Sequence, residues 1–217
     1  MAVWIMAGVT FREAARKKML WMALIAGAGF LTLFAVGLHF QARDFARNDM
    51  SPVLKREISF TMLTMALYAV DLLAVQPDVD RNRLGAIGHS LGAKEVLYLA
   101  AFDTRVRAAV SSEGGIGMSY SNWDAPWYLG DAIRRKGFDL DHGQVLALAA
   151  PRAFLLIGGD SADGAASWPY VAAVRPVWSL TGGPEAVGLF NHHQGHALPG
   201  SARDRAYVWL DWFLRPI

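Results

Sequence analysis

The feature that most constrains this chain is Gly88-His89-Ser90-Leu91-Gly92. It follows a short apolar run, 83–88 (RLGAIG), and opens a longer run, 91–102, with the texture of a helix. A strand that passes straight into a helix leaves room only for a tight, strained turn. Glycines on both sides of the serine are expected where side chains would clash. A serine at the tip of such a turn projects its hydroxyl beyond the end of a sheet. The N–H of Leu91, at the start of the helix, then points to where negative charge would develop on a substrate oxygen. The five-residue pattern alone arises often by chance; the strand before it and the helix after it make it specific.

The chain after Pro77 is regular. Strand-like runs at 83–88, 106–112, 153–158 (AFLLIG) and 186–191 alternate with helical runs at 91–102, 142–149, 165–180 and 201–214. Alternation of this kind implies βαβ units and a parallel sheet flanked by helices, an α/β fold. The strands are continuous apolar runs, as strands covered on both faces are. An aromatic-rich excursion, 114–141, carries Tyr120, Trp123, Trp127 and Tyr128. These rings either line an apolar pocket over the serine or pack the excursion onto the domain.

Three pieces in order, VDRNRLGAIGHSLGA, PRAFLLIGGDSADG and LFNHHQGHALP, resemble the α/β-hydrolases of the dienelactone-hydrolase and acetyl-xylan-esterase type. The resemblance runs from about Asp78 to the C-terminus. It implies the nucleophile-bearing C-terminal half of that fold, and a triad in the chain order serine, acid, histidine. It further implies a serine hydrolase that cleaves small carboxylic esters through an acyl-serine, with no cofactor.

On that template Ser90 is the nucleophile and the Leu91 N–H an oxyanion donor. His196, in a loop just past the last strand, is general base and then general acid. His192 and His193 lie nearer the strand end and are expected to pack or cap. The acid belongs in the loop after 153–158, which offers Asp163 first and Asp160 as the alternative; Glu113, just after 106–112, is a third option. No metal site is expected, because no carboxylate completes a ligand set with the three neighbouring histidines.

The front of the chain differs. Residues 19–40 are 22 residues without a formal charge, preceded by Arg16-Lys17-Lys18. That length suits a transmembrane helix with a basic anchor, against the rival readings of a buried core helix or a signal peptide. A single N-terminal span implies membrane association, with the side carrying the hydrolase undetermined. Residues 3–30 are similar to the N-terminus of an ABC-type permease subunit, over one basic lead-in and one span; the rest of a permease is absent. Residues 58–76 are read as a helix that packs on the sheet rather than as a second span, because Asp71 would be costly in lipid. The expected division is therefore a membrane-type helix with a charged connector over 1–57, and a partial hydrolase domain over 58–217.

Hydrophobic residues make up 53% of the 217, the net charge is +2 and there is no cysteine. Thiolate catalysis and disulfides are excluded, and no basic stripe points to nucleic acid. No strands are visible before residue 77, so 83–88 is expected at a sheet edge. An exposed edge invites pairing, hence homo-oligomerisation. The alternative reading is an inactive remnant that works by assembling with a partner.

Overall fold

The computed structural model describes Thr32, Val36 and residues 52–125, 128–181 and 183–216. The chain divides into two units, Met1–Ser51 and Pro52–Ile217, and the second is described here. The span expected over 19–40 lies, but for two residues, outside the described ones. Among the described residues no helix is long and apolar enough to cross a membrane.

Helix α1 (Pro52–Ala74) leads to strand β1 (Leu84–His89), helix α2 (Leu91–Phe102) and strand β2 (Val106–Ser112). After the excursion come α3 (His142–Ala147), β3 (Ala153–Gly158), α4 (Trp168–Leu180), β4 (Val187–Asn191) and α5 (Gly200–Leu214). The four strands are all parallel and lie in the order β1-β2-β3-β4. Among the described residues β1 is therefore an edge strand, paired with β2 alone.

Burial explains the pattern of apolar runs. Every residue of β3 is buried and so is all of β2 but Arg107, whereas the edge strands β1 and β4 are partly open. Successive side chains of a strand point to opposite faces. Phe154 and Leu156 join a core with Val96, Leu97 and Ala100 of α2 and Val171, Val174 and Trp178 of α4. Leu155 and Ile157 join Val110 on the other side, beneath Ala202 and Ala206 of α5. Ser90 thus stands on a sheet clamped from both faces.

Helix α1 packs inward, but mainly against α2 rather than directly on the sheet as expected. Ala66, Leu67, Val70 and Ala74 form one stripe against the core, at the spacing of a helical face. Asp71 leaves that stripe for an ion pair with Arg105, 2.6 Å away. Helix α3 starts at a reciprocal cap: Asp141 accepts from the His142 N–H at 2.7 Å, and its own N–H donates to Gln144 at 2.6 Å.

The excursion packs around a fully buried histidine. His142 is 0% exposed, shares a 3.0 Å hydrogen bond with the Tyr98 hydroxyl, and lies 4.0 Å from the Trp123 ring. Burial pushes its pKa from 6.5 down to about 4. Below pH 6.5 the unfolded chain takes up a proton here that the folded chain refuses until about pH 4. The unfolded state then binds more protons, so stability falls as pH drops through that window, by about 1.4 kcal/mol per pH unit. In urea unfolding, His142→Gln should reduce the stability lost between pH 6.5 and 5 by roughly 2 kcal/mol. An unchanged pH slope would contradict this.

Candidate active site

The strand-to-helix turn has the strain that the sequence implied. Ser90 sits between the end of β1 and the start of α2 with φ 56°, ψ −115°, a left-handed conformation that L-residues hold only when their surroundings enforce it. Its N–H donates to the Ser112 carbonyl at 2.8 Å, and its own carbonyl accepts from Ala93 at 3.1 Å. Gly88 is required sterically: a Cβ there would lie 2.1 Å from the Gly92 carbonyl oxygen. Gly92 is not. A Cβ at that position meets open space, which corrects the expectation that both flanking glycines avoid a clash. Leu91 is the first residue of α2, and the first N–H groups of a helix have no partner inside it.

His196 reaches back over the strand ends to Ser90, with Nε2 3.0 Å from Oγ. Its other nitrogen, Nδ1, lies 3.2 Å from Glu113 Oε2. The carboxylate beside His196 is therefore that of Glu113, the third option, and not that of Asp163 or Asp160. Glu113 directly follows β2, has φ 54°, and is 1% exposed. A buried carboxylate needs hydrogen-bond donors, and this one has them. Oε1 accepts a short bond from the Gly159 N–H, and Oε2 accepts from Ala162 N–H at 2.6 Å.

The two aspartates are turned elsewhere, and the shape of the loop after β3 is the reason. The N–H groups of Gly159 and Asp160 both donate to the Asp163 carbonyl, at 3.1 and 2.9 Å. The loop curls back on itself and carries the Asp163 side chain beneath the loop that follows β2. There Asp163 is 2% exposed, and its carboxylate accepts from Gly115 N–H at 2.7 Å, Ile116 N–H at 2.9 Å and the Ser167 hydroxyl at 2.8 Å. Burial raises its pKa, against the pull of the Ile116 and Gly115 donors. Asp160 faces outward to Asn191 Nδ2 and His193 Nδ1, each 2.5 Å away. These bonds, that from Asn191 foremost, hold its pKa below the ordinary value.

The remaining histidines have separate settings. His192 is buried, with Nδ1 accepting from Gln194 N–H at 3.1 Å, and His193 is exposed on Asp160. His89, unremarked in the sequence, places its ring 5.0 Å from that of His196 and shares a 3.2 Å hydrogen bond with Ser112 Oγ. Burial, and then the charge of His196, lower the His89 pKa. Its position next to Ser90 was the available signal.

Among the described aromatics of the excursion Trp123 packs inward, Tyr128 is half-buried and Tyr120 is exposed. Trp123 is buried and donates to the Gly115 carbonyl at 2.6 Å. Tyr120 shares a 2.9 Å bond with Ser167. Lys94, one turn of α2 beyond Ser90, lies 3.8 Å above the Trp123 ring and 4.9 Å from that of Tyr128. Burial brings its pKa down to about 8. Trp127 is outside the described residues.

The chain is similar in part to known proteins. The family described as BAAT / Acyl-CoA thioester hydrolase C terminal matches residues 67–124, a stretch that includes Ser90 and Glu113. No curated protein matches the sequence. Among solved structures, a carbohydrate esterase family 15 glucuronoyl esterase from Caldicellulosiruptor kristjansonii is 21% identical at a TM-score of 0.62, over 71% of this chain and 50% of that one. A glucuronoyl esterase from Solibacter usitatus is also 21% identical, at 0.60, over 69% of this chain and 47% of that one. The glucuronoyl esterase catalytic domain from Hypocrea jecorina is 19% identical at 0.57, over 67% and 49%. At such identities the likeness is one of fold. The chain spans about half the length of these structures. The permease-like reading of residues 3–30 finds no support in any of these matches.

Proposed function

The unit Pro52–Ile217 has the C-terminal half of the α/β-hydrolase fold, and from its site we propose a serine hydrolase of small carboxylic esters or thioesters. The observation that carries this is the chain of hydrogen bonds Ser90 Oγ, His196 Nε2, His196 Nδ1, Glu113 Oε2, set on a strand-to-helix turn. Ser90 Oγ attacks the acyl carbon while its proton passes to His196 Nε2. Glu113 holds the imidazole by Nδ1–H and stabilises the imidazolium. The Leu91 N–H meets the oxyanion. The acyl–leaving-group bond then breaks as His196 returns the proton to the leaving oxygen or sulfur. Water, deprotonated by the same nitrogen, releases the acid and restores Ser90.

The second reading, a non-catalytic remnant that assembles with a partner, draws on β1 having one strand neighbour among the described residues. Loss of one oxyanion donor costs about 10²–10³ in kcat, so slow turnover of activated esters remains compatible with catalysis. A p-nitrophenyl ester series separates the two. The expected result is a burst of p-nitrophenol stoichiometric with protein, with the acyl group found on Ser90 by mass spectrometry. No burst and no acyl-serine, with acetate or longer acyl chains, would favour the remnant.

A further inference from the structure

We infer that Asp163 is a positioning residue for Glu113: the two buried carboxylates, one directly after β2 and one in the loop after β3, fasten each other's loops. This rests on the reading of Glu113 as the acid that orients His196. The exchange is reciprocal. Glu113, after β2, takes the N–H groups of Gly159 and Ala162 from the loop after β3. Asp163, in the loop after β3, takes the N–H groups of Gly115 and Ile116 from the loop after β2. Neither carboxylate is more than 2% exposed.

The turn held by Asp163 is one that does not hold itself. Glu113 and Gly115 both have left-handed backbones, with φ of 54° and 73°. For a non-glycine residue that conformation costs about 1–2 kcal/mol and persists only where surrounding bonds over-determine it. The Glu113 N–H is tied to the Ile157 carbonyl at 2.8 Å. The N–H groups of Gly115 and Ile116, after Gly114, are tied to Asp163 and help to fix the far side of the turn. Without them only the bond from Trp123 to the Gly115 carbonyl holds that side, and the turn relaxes enough to swing the Glu113 carboxylate away from His196 Nδ1. Asp163 is itself fixed by the Ser167 hydroxyl, which is fully buried. An asparagine at 163 has the same shape, but its amide nitrogen cannot accept, so one of the two N–H groups loses its partner.

A double-mutant cycle on p-nitrophenyl acetate hydrolysis tests this. Asp163→Asn should lower kcat by about 10–100-fold and leave KM within about twofold, since misplacement of a catalytic group by about 1 Å costs that order of rate. In a Glu113→Gln background the same change should cost less than about threefold, because a residue that acts only through Glu113 has nothing left to position. Ser167→Ala, which keeps both N–H bonds, is the milder variant should Asp163→Asn fold poorly. It is expected to lower kcat by about 3–10-fold and to be silent in the Glu113→Gln background. Equal losses in both backgrounds, or a loss confined to KM, would overturn the positioning role and leave the acid assignment intact. A Glu113→Gln enzyme with wild-type kcat would instead overturn the acid assignment, and this inference with it.

Discussion

Ser90→Ala and His196→Ala are each expected to take ester hydrolysis down by about 10⁶, to the rate left by binding and the oxyanion donor alone. The doubly substituted protein should be no slower than either. In the proposed mechanism Ser90 Oγ and His196 Nε2, 3.0 Å apart, exchange one proton in one step, so removing either disables the other. The fold should survive both changes. The Ser90 turn is held by backbone bonds to Ser112 and Ala93, which alanine keeps, and His196 is half-exposed. Thermal melts beside p-nitrophenyl acetate kinetics check this. Strongly additive losses would mean that the two do not act together.

Among the carboxylates, Glu113→Gln should lose most, about 10³–10⁴ in kcat, because an amide at this position favours the wrong imidazole tautomer. It should also cost about 1–3 kcal/mol of stability, since a glutamine cannot accept from both Gly159 and Ala162 while facing His196. Asp163→Asn should fall well short of that loss in rate, and Asp160→Asn should stay within about twofold of wild type, since its bonds to Asn191 and His193 lie at the exposed surface. Kinetics of the three variants on one substrate decide the order. If Asp163→Asn or Asp160→Asn proved the slowest, the acid would lie where the sequence first placed it.

That first placement shows what was legible and what was not. The turn that carries Ser90 was readable because strand, turn and helix are written in three contiguous stretches around it. His196 was readable because it follows the last strand at a fixed remove. The strands were readable because β2 and β3 are buried on both faces, so their apolar runs are unbroken. The acid depends on where a carboxylate points, and that is set by bonds between two loops 46 residues or more apart in sequence. Asp163 and Glu113 each follow a central strand, each near glycines, and each in a position a triad acid can occupy. The backbone folding of 159–163 and the left-handed turn at 113–115 decide between them, and neither is visible in residue order. The Gly92 misreading has a related cause. A glycine motif marks a tight turn, but which glycine the turn needs depends on where the helix backbone passes, here over Gly88 alone.

The most direct test of the proposed site is covalent labelling with a fluorophosphonate, which reacts only with a serine made nucleophilic by its neighbours. The expected result is one label per chain, on Ser90, lost in His196→Ala and slowed by orders of magnitude in Glu113→Gln. Labelling of Ser90 that persists at the wild-type rate in His196→Ala, or a label on another serine, would contradict the assignment.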